Sequence, residues 1–217
     1  MFSIRGVYQC KSCVPPVSVK ADGTDQRVTG HDYYDSIAIK IANATTVKTT
    51  RKKAGKVIAE DSNTVSGDGK NLTQKFTDYT GAKPASATAI YARLSAGPAG
   101  SHVISGTWEL AKSDDWSDSL VTVKYSTTAD GLQMQYNGQQ YDANFDGKEY
   151  PVKNDPGKTT VSLKRLDAHT IEETDRRAGE VKDVTRISVA ADGKTMTVED
   201  DSPTYGTKVS YTMLKQP

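Results

Sequence analysis

The chain has 217 residues, 35% of them hydrophobic, with 28 Lys and Arg against 27 Asp and Glu, a net charge of +1 and a mean hydropathy of −0.60. No apolar run approaches the ~20 residues that a membrane-crossing helix needs, and near-neutral charge excludes a protein built mainly as a polyanion binder. Three Phe and two Trp are thin for one large interior, yet Val, Ile, Thr and Tyr are too frequent for disorder, so the composition points to small all-β domains with one wet face per strand.

At the start, Met1–Tyr8 lacks the apolar core of a secretory signal, and an extracytoplasmic location stays open. Cys10 and Cys13 are the only cysteines. Val14-Pro15-Pro16 follows them and does not begin a regular helix, so they read as a local disulfide or two inert thiols rather than a redox motif. A zinc site would need two more ligands, and three scattered His supply them poorly; no metal or cofactor is expected.

The strongest signal is internal. Shifted by 124, Val17–Phe76 lies over Tyr141–Asp200 without a gap. Asp22-Gly23 falls on Asp146-Gly147, Ala54-Gly55 on Ala178-Gly179, and Asp68-Gly69-Lys70 on Asp192-Gly193-Lys194. Past Thr77 the shift becomes 120, which places Tyr91 on Tyr211 and Leu94 on Leu214. The matches sit at turns and at alternating apolar positions, where a fold imposes constraint.

In the first copy, Gly30-His31-Asp32-Tyr33-Tyr34-Asp35-Ser36 is the densest cluster of functional groups. A His between carboxyls and beside two phenols suits a general base or a ligand mouth, so His31, Tyr33 and Tyr34 are the candidate ligand contacts; a polar turn at a barrel rim is the plainer reading. Arg51-Lys52-Lys53 and Arg176-Arg177 read as solvated hairpin tips, too small a basic face for nucleic acid. Ser95-Ala96-Gly97-Pro98-Ala99-Gly100-Ser101 reads as a short linker by composition, and the linker is placed at residues 96–105. Ser101-His102 lies there; neighbouring Ser and His side chains diverge, which disfavours a catalytic pair.

Strands are expected at Gly106–Leu110, Ser119–Tyr125, Gly131–Tyr136, Thr159–Leu166, Thr170–Arg176, Val181–Val189, Met196–Glu199 and Lys208–Lys215. Asp-Gly and Ala-Gly turns separate several of them, since tight hairpins need positive φ. The second copy has Gly106–Gln140 ahead of its alignable part, and the first has only Met1–Pro16, so the first reads as short by about two strands. Trp116, in an acidic loop, is expected to be a lid or to staple over the end of the second unit.

Gly106-x-Trp108 followed by a long run of meandering strands resembles the start of lipocalin-like and fatty-acid-binding-protein-like barrels, where the Trp plugs the closed end. The phrases Phe145-Asp146-Gly147-Lys148-Glu149-Tyr150-Pro151-Val152 and Asp192-Gly193-Lys194-Thr195-Met196-Thr197-Val198 resemble a group of uncharacterised bacterial duplicated β-meander proteins. The chain departs from the lipocalins in lacking their helix. The resemblance implies two tandem antiparallel up-and-down meanders: residues 1–95 an incomplete unit, 96–105 a linker, and 106–217 a complete lipocalin-like barrel.

The expected function is binding of a small hydrophobic or amphipathic ligand, or a structural role at the cell envelope. A small esterase-like hydrolase with a Ser/His site is the alternative. Neither nucleic acid nor a membrane-spanning segment is expected. Residues 1–95 hold 14 Lys and Arg against 8 Asp and Glu, and residues 96–217 hold 14 against 19. These balances, +6 and −5, lead to the expectation that the two halves dock on each other.

Overall fold

A computed structural model describes residues 7–10 and 13–216. Antiparallel strands make up the described fold, with one turn of 3₁₀ helix at Asp118–Leu120. No described helix is long and apolar enough to cross a membrane.

Two compact units divide the chain, residues 1–122 and 123–217. In the first, β1 (Val7–Cys10) pairs with β2 (Val17–Lys20). A seven-stranded meander follows: β3 (Gln26–Arg27), β4 (Ser36–Ile41), β5 (Thr46–Lys53), β6 (Lys56–Val65), β7 (Asn71–Asp78), β8 (Ala85–Ala96) and β9 (Gly106–Asp114). In the second unit, β10 (Val123–Thr127), β11 (Gly131–Tyr136) and β12 (Gln139–Asn144) form one sheet. A six-stranded meander continues it: β13 (Tyr150–Pro151), β14 (Thr160–Arg165), β15 (Thr170–Arg177), β16 (Glu180–Val189), β17 (Thr195–Ser202) and β18 (Thr207–Leu214). Every ladder joins strands adjacent in sequence, and no described ladder joins β1 to β9 or β10 to β18. The up-and-down order is therefore present, and the described ladders do not close a barrel.

Strands β3 to β7 and β13 to β17 begin and end at positions offset by 124. The offset extends to details that sequence alone would not impose. A β-bulge falls between Arg51 and Lys52 and again between Asp175 and Arg176. Ala54 and Ala178, at φ 49° and 51°, each precede a glycine at positive φ in the two-residue turn after the bulge. The backbone bond from Gly23 to the Ile39 carbonyl, 2.8 Å, recurs from Gly147 to Leu163 at 3.2 Å.

Alternation places each core. Val17, Val19, Ile37, Ile39 and Val47 are buried together in the first unit, with Tyr8, Tyr34 and Ile104 packed against them. In the second, Leu132, Tyr141, Ala143, Val161 and Leu163 are buried, with Tyr125, Met134 and Ile171 against them. Each such aliphatic side chain stabilises by ~1.5–3 kcal/mol when fully withdrawn from water.

Several expectations change at the middle of the chain. Strand β9, assigned from sequence to the second copy, pairs along β8 from Thr88↔Asp114 to Ala96↔Gly106. At the other end the expected shortfall of about two strands is smaller: β1 and β2 stand at the 124-residue offset from β11 and β12, so among the described residues β10 alone has no counterpart there. The segment 96–105 is fastened rather than loose. Gly97 donates to the Ser105 carbonyl at 2.9 Å, and Arg93 donates to the carbonyls of Gly69, Val103 and Ser105 while lying 3.9 Å over the Trp108 ring. Ser119–Tyr125 is only partly strand, because the 3₁₀ turn takes its beginning. Trp116 is 47% exposed and lies in the first unit, not in the second to which it was assigned from sequence.

Candidate functional site

The first unit carries a polar row across its core-facing side. On β5, Val47, Thr49 and Arg51 alternate onto the face that holds the core, so Arg51 points inward with them. The ladders set Thr49 opposite Asp61, and the guanidinium reaches diagonally to that carboxylate. The Asp61 side chain is 3% exposed. Gln74 on β7 donates to Asp61 Oδ1 at 3.2 Å, and Tyr91 on β8 donates to Gln74 Oε1 at 3.1 Å. The row Arg51–Asp61–Gln74–Tyr91 thus steps diagonally over four strands, each link within cross-strand reach. Arg51 is corrected from a solvated tip to the partner of a buried acid.

His31 and Tyr34 join this row at its outer end. Their rings stack with centroids 4.5 Å apart and planes 16° from parallel, and the Arg51 guanidinium lies 5.8 Å from the Tyr34 centroid. Desolvation and the nearby Arg51 charge hold the His31 imidazole below its ordinary pKa, with Asp32 opposing. Burial raises the Tyr8 phenol, whose electrostatic neighbours are Arg51, Asp61 and Tyr34. Burial likewise raises Tyr91. Tyr33 is 38% exposed. Of the three residues singled out from sequence, the fold brings two together.

The second unit holds different chemistry at corresponding positions. Glu173 and Asp175 stand where the first unit has Thr49 and Arg51, and Thr185 stands where it has Asp61. Tyr141 donates to Glu173 Oε2 at 2.6 Å, and Thr185 donates to Asp200 Oδ1 at 2.8 Å. Asp175 Oδ1 is buried and accepts no hydrogen bond. Burial pushes both carboxyls up, Glu173 to about 7 and Asp175 to about 8. It also raises the phenols of Tyr125, Tyr141 and Tyr211, with Glu173 adding to each.

The Ser/His alternative meets a fold that occupies both residues. Ser101 Oγ donates to the Pro98 carbonyl at 2.6 Å. His102 Nδ1 accepts from the Ile104 N–H at 3.3 Å, and Nε2 lies 2.9 Å from the Asn43 carbonyl. Those roles require the proton on Nε2, which leaves neither nitrogen free to act as a base. Cys10 and Cys13 form a disulfide, with Cα atoms 5.5 Å apart. No described group of three His, Cys, Asp or Glu is arranged to hold a metal ion.

Nothing in the sequence marked Asp61, Gln74, Tyr91 or Glu173 as unusual, because each sits on an ordinary strand. The available signal was phase: Val47-x-Thr49-x-Arg51 and Ile171-x-Glu173-x-Asp175 carry charged groups onto the apolar face of a strand. Comparison with family models, curated proteins and solved structures gives no match, so the reading of the site rests on its own geometry.

Proposed function

We propose that the first unit binds a small amphipathic ligand, with its polar group on the His31–Tyr34–Arg51 end of the row and its apolar body against the adjoining core. The observation that carries this reading is the buried Arg51–Asp61 pair joined through Gln74 to Tyr91. Desolvating two charges costs several kcal/mol per ion, and apolar residues of similar volume would stabilise as well or better. Networked charges set beside an apolar surface are what a recognition site requires. No comparable observation favours the hydrolase.

The test compares small molecules extracted from the purified chain, read by mass spectrometry, with those from variants. Tyr34 packs on the core, so its removal would confuse binding with folding, and Tyr34→Phe is the informative change. His31→Ala combined with Tyr34→Phe should deplete a co-purifying amphipathic compound at least several-fold, with little change in melting temperature. An unaltered extract from the double variant, or none from the parent chain, would remove the site.

A further inference from the structure

The second unit concentrates acids on its core-facing side with little to offset them. Glu173 and Asp175 are alternate residues of β15 and so share one face. Asp183 of β16 stands directly opposite Asp175, and Asp200 of β17 stands opposite Thr185, which is itself opposite Glu173. From the other strands this face meets the phenols of Tyr125 (β10), Tyr141 (β12) and Tyr211 (β18), and the apolar Val161 and Leu163 of β14. Asp155, in the segment after β13, adds a further carboxyl to the field at Asp175. Arg177 is the cation acting on Asp175, and it is engaged elsewhere: it lies 3.7 Å from Asp183 and donates to Thr159 Oγ1 at 2.9 Å.

We propose that the second unit is a pH-sensitive element, tightly packed while Glu173 and Asp175 carry protons and loosened when both ionise. The geometry requires some such response. Asp175 Oδ1 is buried without a donor, and Arg177, the cation acting on this carboxyl, is shared with Asp183, so the charge is poorly stabilised. Two carboxylates sharing one face oppose each other's ionisation, which raises the second above the first. In the first unit the position of Asp175 belongs to Arg51, and the buried acid there has its counter-charge, so that row lacks the device.

The direction follows from linkage. Acids whose folded pKa is raised bind protons in the native state that the unfolded chain has already released. Stability is therefore full below the ordinary carboxyl range, declines as pH climbs, and levels off above about 8, where Asp175 has titrated. Between pH 6 and 8.5 the exposed carboxyls of both units are ionised in every state and add no slope. His31, held low in the first unit, gives that unit the opposite slope.

The test is peptide-resolved amide hydrogen exchange on the full chain at pH 6 and pH 8.5, corrected for the chemical exchange rate. Protection in β14 to β17 should fall tenfold or more at the higher pH, while β4 to β7 hold or rise. Glu173→Gln with Asp175→Asn should abolish the fall. Should that pair not fold, Asp175→Asn alone must reduce the fall by about half. Equal behaviour of the two units, or an undiminished fall in the variants, would overturn the proposal.

Discussion

Arg51→Ala should cost the first unit about 3 kcal/mol, the lower end of the range for breaking a buried ion pair, because the Arg51 side chain keeps 29% of its surface. The loss comes from what remains. Asp61, 3% exposed, would keep one hydrogen bond from Gln74 and no counter-charge. For a unit of this size that is a fall of roughly 10 °C in melting temperature. Both tryptophans, Trp108 and Trp116, lie in the first unit, so their fluorescence reports its denaturant midpoint without interference from the second. Arg51→Met with Asp61→Leu should recover most of the loss, because it removes both charges and keeps volume. A single-variant loss under 1 kcal/mol would mean that water reaches Asp61 and that the pair is a surface contact.

Cutting the chain should show a still larger effect. A fragment of residues 1–122 should fold cooperatively, and one of residues 1–95 should be unfolded or aggregated. The shorter fragment strips β9 from β8, leaving a row of unpaired N–H and C=O groups along a long strand, a template for association. It also removes the Trp108 ring and two of the three carbonyls that hold Arg93, the His102 contact to Asn43, and Ile104 from the core. Circular dichroism and sedimentation would separate the cases. A monomeric, cooperative 1–95 fragment, or an unfolded 1–122 fragment, would each show that β9 does not belong to the first unit's fold.

Much of the architecture was legible because alternation and turn chemistry act locally. Thr159–Leu166 was expected where β14 spans Thr160–Arg165, and Lys208–Lys215 where β18 spans Thr207–Leu214. The membership of β9 was not legible. Its alternation says that Gly106–Asp114 is a strand, but pairing partner is a tertiary choice that period 2 leaves open, and Gly-x-Trp suggested the wrong neighbour. The site was half visible. His31 and Tyr34 stand out as functional groups in a short polar stretch, whereas Asp61, Gln74 and Tyr91 meet only through diagonal contacts across three ladders, with a bulge beside Arg51 in one of them. A one-residue error in any register would break that chain of contacts.

The two rows also constrain how either unit can drift by substitution. To turn the first row's Arg51 and Asp61 into the Asp and Thr found at 175 and 185 takes two changes. Changing Asp61 first strands a guanidinium against a core, and changing Arg51 first sets two acids side by side with no cation. Each order passes through an intermediate a few kcal/mol less stable than either end, a large share of what holds a domain together. The positions are epistatic, and the path between the two chemistries crosses a fitness valley. Strand boundaries can stay matched residue for residue while the interiors remain fixed in their separate electrostatic characters.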